Sequence, residues 1–282
     1  MAKVTLSPLR YPGGKNILYD YVKEIILTND LHMCTYVEPY TGGGSVAIKL
    51  LKENIVDSII INDFDRSIYS FWYCVLYKTE ELCKLIIDTE INIDNWKLMK
   101  EIQLNKENAD LLDLGFSTLF LNRTNISGII KAGVIGGKNQ NGNYKMDCRF
   151  NKDKIINKIT DISKYKDKIF LYNLDTLDLI NKVVKKINKR LFIFFDPPYY
   201  NKGSSLYVNF YDYKDHMNLR DAIDNLNNIP WIVTYDNVPE ICELYKSYRQ
   251  KDYSLMYTAN KPKKGKEVMI YSSIIKIPHL NI

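Results

Sequence analysis

Asp196-Pro197-Pro198-Tyr199 sets a carboxylate, two proline carbonyls and an aromatic ring in four consecutive positions. The carboxylate and carbonyls accept hydrogen bonds, and the ring offers a flat face. Together they suit a planar group that carries an NH2. The tetrad ends a strongly apolar run, Leu191-Phe192-Ile193-Phe194-Phe195. A short run rich in β-branched and aromatic residues reads as a buried central strand. The two prolines forbid further sheet pairing, so the chain turns out at the strand's carboxyl end. That end is where ligands bind in open α/β sheets.

A second constellation is Val37-Glu38-Pro39-Tyr40-Thr41-Gly42-Gly43-Gly44-Ser45, between an expected strand and helix. Glycines there let a ligand approach the backbone, and a helix N-terminus favours anionic groups. Asp63 ends the next strand, nineteen residues after Gly44. A carboxylate at that place accepts both hydroxyls of a ribose. A nucleoside-bearing cofactor follows, but the turn does not match the G-x-G-x-x-G of dinucleotide sites. A third turn, Leu9-Arg10-Tyr11-Pro12-Gly13-Gly14-Lys15, directly precedes a helix. Lys15 would pair with a cofactor carboxylate and Tyr11 would pack on its face. The same residues would equally make an ordinary N-terminal turn.

The elements that must position these residues alternate. Strands are expected at Thr35–Glu38, Ser58–Asn62, Ile169–Tyr172, Leu191–Phe195, Trp231–Tyr235, Arg249–Leu255 and Val268–Ser272. Helical periodicity covers Ile17–Ile26, Ser45–Glu53, Ser67–Tyr77, Leu177–Ile187 and Leu219–Leu226. The pattern indicates an α/β fold with a largely parallel sheet. From Glu80 to Asp161 helical patterns dominate, and a glycine- and asparagine-rich loop runs from Gly133 to Asn143. Long loops of this kind are usually functional or mobile. The expected division is residues 1–79 and 162–282 as the catalytic domain, with 80–161 as an insertion.

The chain has 282 residues, five scattered cysteines without a C-x-x-C pair, three distant histidines and a net charge of +6. Reduced thiols in a cytoplasmic protein are expected, and no metal site. The start lacks a secretion signal and no apolar run is long enough for a membrane span. Lys261, Lys263, Lys264 and Lys266 cluster near the C-terminus, as a phosphate-binding group or a solvated loop.

Taken in order, Arg10 to Lys15, Val37 to Gly44 and Asp196 to Tyr199 resemble the D12 class of DNA adenine-N6 methyltransferases, the Dam-like family. Phe120-Leu121-Asn122-Arg123-Thr124-Asn125 is similar to the Leu-Asn-Arg segment that opens the family's DNA-contacting hairpin. Asn143 to Asn151, with Arg149-Phe150-Asn151, resembles the rest of that hairpin, and Lys266 to Tyr271 the family's C-terminal strand. The likeness spans nearly the whole chain. It implies a Rossmann-like methyltransferase sheet whose mostly helical insertion bears a hairpin or loop and recognises the target. It also implies S-adenosylmethionine as cofactor and double-stranded DNA as partner, in a bacterial or phage-encoded monomer. Pairing with a cognate restriction endonuclease is left open.

Carried over by position, Tyr11, Pro12, Gly13, Lys15, Glu38, Pro39, Tyr40, Gly42, Gly43, Gly44, Asp63 and Asp196 would line the cofactor, with Asp175 a weaker candidate. Asp196, Pro197, Pro198 and Tyr199 would be catalytic. Asp196 and the Pro197 carbonyl would accept the two amino protons of a flipped adenine, and Tyr199 would stack on it. Arg10, Arg123, Asn125, Lys131, Lys138, Lys145 and Arg149 are the DNA-contact candidates. Asn122 and Asn125 suit either DNA contact or internal hydrogen bonding, with the internal role assigned to Asn122. Arg10 stands where GATC-specific members typically carry lysine, and the Gly133 to Asn143 loop is longer than theirs. Both departures bear on the sequence read rather than on the chemistry.

Rival readings are methyl transfer to RNA adenine, cytosine N4 or a protein amide, a catalytically inactive DNA-binding regulator, and a nucleotide-dependent oxidoreductase. Cytosine-N4 enzymes typically carry serine at the position of Asp196, and RNA and amide enzymes asparagine. An inactive regulator would be expected to have lost Asp196, Tyr199 or the glycine turn. An oxidoreductase would need G-x-G-x-x-G.

Overall fold

Apolar runs bounded by polar turns form the strands of this chain, and the sheet they build is covered on both faces. The computed structural model describes residues 5–10, 14–200, 211–257 and 263–279, with backbone only for 255–257 and 263–264. Strands β1 (Thr35–Glu38), β2 (Ser58–Asn62), β3 (Ile169–Tyr172), β4 (Leu191–Phe195) and β5 (Trp231–Asp236) pair in parallel. Strands β6 (Arg249–Tyr257) and β7 (Lys263–Tyr271) pair antiparallel, and β7 sits between β6 and β5. The order across the sheet is β3-β2-β1-β4-β5-β7-β6. The chain builds outward from β1 in one direction, then returns to place β4 on its other side. That reversal opens a crevice at the carboxyl ends of β1 and β4, the place where such sheets bind ligands.

Successive side chains alternate between the two faces. Along β4, Phe192 and Phe194 enter one core, and Leu191, Ile193 and Phe195 the other. Helices α1 (Tyr19–Thr28), α2 (Ser45–Lys52) and α3 (Arg66–Tyr77) cover the first face. The middle third adds α4 (Thr79–Asp88), α5 (Ile93–Leu104), α6 (Leu111–Thr124) and α7 (Lys152–Ser163). Helices α8 (Thr176–Lys182), α9 (Tyr213–Asp224) and α10 (Pro239–Leu244) cover the second face.

The helices of the middle third join the first core through Leu82, Ile86, Trp96, Phe120 and Ile155. No break in that core marks the expected boundaries at residues 80 and 161. Helix α6 crosses α3 so closely that a Cβ on Gly115 would lie 2.6 Å from the Ser70 carbonyl oxygen. Asp65, Asn92, Asp110, Asn151 and Asp175 cap α3, α5, α6, α7 and α8 by accepting from free backbone N–H groups of the first turn.

Two expected helices shift. The Leu177 to Ile187 segment leaves the α-helix after Lys182 and finishes as a 3-10 turn at Val184–Lys186. The Leu219 to Leu226 helix begins earlier, at Tyr213, because Asp212 and Asp215 form a reciprocal capping box. The Gly133 to Asn143 loop is internally braced. The Gln140 side chain donates to the carbonyls of Ile135 and Gly137 and accepts from Met146 N–H. It is a loop, joined to the end of α6 by one antiparallel bridge, Asn125 to Val134.

Candidate active site

Asp196 emerges at the carboxyl end of β4, beside the turn that follows β1. Its Oδ1 accepts from Thr234 Oγ1 at 2.7 Å and pairs with Lys15 Nζ at 2.9 Å. Oδ2 takes no donor among the described residues. The side chain is 22 % exposed. Burial raises its pKa, and Lys15 works against that rise. Lys15 also donates to the Tyr199 hydroxyl at 2.8 Å, and its ammonium lies over the Tyr199 ring, 5.0 Å from the centroid. The Tyr199 hydroxyl in turn donates to Glu267 Oε1.

Lys15, expected at a cofactor carboxylate, pairs here with the protein's own Asp196 and Tyr199. The Tyr199 ring, expected to stack on a base, is 5 % exposed.

The turn after β1 faces the same crevice. Gly42 and Gly44 adopt φ of +47° and +58°, the left-handed region that favours glycine. A Cβ on Gly44 would stand 2.9 Å from Trp72 Cζ2, and the Trp72 indole donates to the Gly42 carbonyl at 3.0 Å. Asp63 Oδ2 accepts from Gly42 N–H at 2.9 Å and Oδ1 from Asp65 N–H at 3.0 Å. Burial raises the Asp63 carboxyl to about 7, with Asp65 adding to the rise. Glu38 is buried, accepts from Tyr36 Oη and Ala47 N–H, and is raised by burial to about 8.

Asn62 ties the loops together: its amide donates to the Pro39 and Leu174 carbonyls and accepts from Leu174 N–H. Gly14, Lys15, Glu38, Gly43, Ser45 and Asp196 line one cleft. Tyr40 lines it too, its hydroxyl 2.8 Å from that of Tyr211. Asp175 spends one oxygen capping α8. Tyr11, Pro12 and Gly13 lie outside the described residues.

Of the DNA-contact candidates, Lys131, Lys138, Lys145 and Arg149 are exposed and Arg10 is half-buried. Asn125 is not on that surface, and Arg123 is half-buried like Arg10. Asn125 is wholly buried, accepts from Trp96 Nε1 at 2.7 Å and donates to the Ile129 and Ile130 carbonyls. Arg123 donates to the carbonyls of Pro8 and Arg149, and burial lowers its pKa to about 10. Both residues hold the loop in shape. Asn122 has its expected internal role: it accepts from Arg10 N–H and donates to the Arg10 and Gly128 carbonyls. Of the C-terminal lysines, Lys261 and the side chains of Lys263 and Lys264 lie outside the described residues, and Lys266 is exposed.

A carboxylate turn and a glycine turn thus meet at a sheet switch point, with a helical insertion carrying basic residues. Residues 11–259 match the family described as D12 class N6 adenine-specific DNA methyltransferase. The chain belongs to this family. It is 26 % identical over 233 residues to the Type II methyltransferase M.MjaIII of Methanocaldococcus jannaschii, covering 76 % of this chain and 77 % of that one. It is 25 % identical over 270 residues to the Type II methyltransferase M1.LlaDCHI of Lactococcus lactis subsp. cremoris, covering 87 % of each. Among solved structures it is similar to the rRNA methyltransferase aviRa of Streptomyces viridochromogenes, at TM-score 0.41 and 10 % identity, over 94 % of this chain and 87 % of that one. The protein is an adenine-N6-specific DNA methyltransferase, and the inactive-regulator and oxidoreductase readings fall away.

In this methyltransferase the sequence reading missed the residues that support the site. Thr234 and Asp236 stand at the carboxyl end of β5, where polar residues closing an apolar strand were a usable signal. Phe64, directly after Asp63, is 58 % exposed. Trp72 and Asn62 gave no such signal, since their partners are backbone carbonyls brought near only by the fold. Among the described residues no cluster of His, Cys, Asp or Glu could hold a metal, and no helix is long and apolar enough to cross a membrane.

Proposed function

We propose that the crevice at the ends of β1 and β4 binds S-adenosylmethionine and a flipped adenine side by side, and transfers the methyl group between them. The observation that carries this is the pairing of β1 with β4, which sets the Gly42–Gly44 turn beside Asp196. The surroundings fit a cationic nucleoside cofactor: Asp196 supplies negative charge, Glu38 a buried carboxyl raised to about 8 that ionises only above that pH, and Asp63, beside the Gly42 turn, retains acceptor capacity for ribose hydroxyls. Phe64 offers its exposed ring beside Asp63 for the cofactor's base. When bound, S-adenosylmethionine supplies a methyl group on a positively charged sulfur.

The adenine amino nitrogen is a poor nucleophile because its lone pair spreads into the ring. Asp196 Oδ2 and the Pro197 carbonyl accept its two protons and so localise that pair. As the N–C bond forms and the S–C bond breaks, the nitrogen sheds one proton. Asp196, whose pKa burial has raised, holds that proton before solvent takes it. Orientation supplies much of the acceleration.

Residues 80–161 act as the recognition unit, and Arg10, Lys131, Lys138, Lys145 and Arg149 meet duplex DNA. Phosphate contacts give affinity, and Arg10 is the candidate for reading guanine. The enzyme works as a monomer in the cytoplasm, and the Type II names of its relatives suggest pairing with a restriction endonuclease.

Calorimetry tests the cofactor assignment. S-adenosylmethionine should bind the wild type, and Asp63→Ala should weaken that binding by roughly 10-fold through lost ribose hydrogen bonds. Binding that ignores this substitution would remove Asp63 from the cofactor site.

A further inference from the structure

Glu267 lies inside the sheet, yet it serves the loop after β4. It stands on β7, opposite Asp236 of β5 and Tyr253 of β6. Residues opposite one another across strands share a face. Tyr253, Glu267 and Asp236 therefore make one row over three strands, and all three are buried. Two carboxylates directly opposite repel, and burial without partners would penalise each of them. Groups from the loop and from β6 offset that penalty.

Tyr199 Oη donates to Glu267 Oε1 and Tyr253 Oη to Oε2. The Tyr200 N–H donates to Asp236 Oδ1 at 2.9 Å. Thr234, two positions before Asp236 and on the same face, donates to Asp196 at 2.7 Å. The β5 and β7 side chains thus grip three parts of the catalytic turn: the Asp196 carboxylate, the Tyr199 hydroxyl and the Tyr200 amide. On the opposite side, Lys15 joins Asp196 to Tyr199. The Tyr199 hydroxyl accepts from Lys15 and donates to Glu267, which fixes the direction of its O–H bond and anchors the ring's far end.

We propose that Glu267 is a positioning residue for methyl transfer: through the Tyr199 hydroxyl it fixes the ring on which the target base docks. The proposal rests on the reading of the Asp196 turn as the adenine site. Glu267 touches neither adenine nor cofactor. Its effect falls on alignment, where a displacement of about 1 Å costs roughly 100-fold in rate.

The test compares Glu267→Gln, Tyr199→Phe and the double variant on DNA containing the mapped target sequence. Each single variant should lower kcat by ~10- to 100-fold, with KM for DNA and for S-adenosylmethionine within about 2-fold. The double variant should be no slower than the slower single one, because both cut the same link. With 2-aminopurine at the target position, Glu267→Gln should flip the base but quench it less than wild type, since the stacking ring is no longer fixed. Multiplying losses, an unchanged kcat, or a loss confined to KM would overturn the proposal. If Glu267→Gln does not fold, Tyr199→Phe alone decides, and a wild-type kcat in it overturns the link. Asp196→Ala separates the two levels. Activity in that variant refutes the site itself, whereas an inactive Asp196→Ala beside a wild-type Glu267→Gln refutes only the positioning role.

Discussion

Glu38 lines the cleft and Asp63 braces the glycine turn beside it, and both carboxyls titrate close to neutrality. Burial sets both, Asp63 at about 7 and Glu38 at about 8. Below its value Asp63 carries a proton and loses acceptor capacity toward ribose hydroxyls. S-adenosylmethionine affinity, followed by calorimetry, should therefore fall as the pH drops through about 7. Asp63→Asn should remove that step while leaving one near the Glu38 value, and a step at about 7 that persists would assign it elsewhere. Asp196 was legible in the sequence because a carboxylate and two prolines after an apolar run admit few other structures. Asn125 was not. An asparagine at the end of a helix reads the same whether it faces DNA or the interior, and only the Trp96 indole and the Ile129 and Ile130 carbonyls reveal which.

At the scale of elements, the approach of α6 to α3 is the tightest constraint on the insertion. An alanine at Gly115 would drive its Cβ against the Ser70 carbonyl oxygen and the Cys74 sulfur. Gly115→Ala should lower stability by about 1–3 kcal/mol, the range for overpacked cores, seen as an earlier midpoint in urea. An unchanged midpoint would mean that the helices separate freely. The parallel strands were readable nearly to the residue, most clearly β4, whose burial on both faces demands an unbroken apolar run. Helix starts were less so, as Tyr213 to Asp215 owe their helical state to a capping box rather than to periodicity. The Gly133 to Asn143 loop was read as long and functional or mobile, while its bracing by Gln140 depends on carbonyls that only the folded loop assembles.

For the whole molecule, the sheet order matters more than any one motif, since it places β1 and β4 side by side. The net charge of +6 is modest, so DNA affinity must come from where the charge sits. Arg149 is exposed on the insertion, whereas Arg123 is half-buried and ties the insertion to the N-terminal Pro8 carbonyl. Arg149→Ala should weaken duplex binding and reduce the slope of log K against log salt by about 1, and an unchanged slope would remove it from the interface. The sequence division at residues 80 and 161 follows the change from alternating strands to helices, and the helices of that middle third share the core of the sheet. The central claim meets its most direct test in the nucleosides recovered from duplex DNA after incubation with the purified protein and S-adenosylmethionine. Mass spectrometry should find N6-methyladenine with the wild type and none with folded Asp196→Ala. Methylcytosine in its place, or N6-methyladenine undiminished in the variant, would contradict the account.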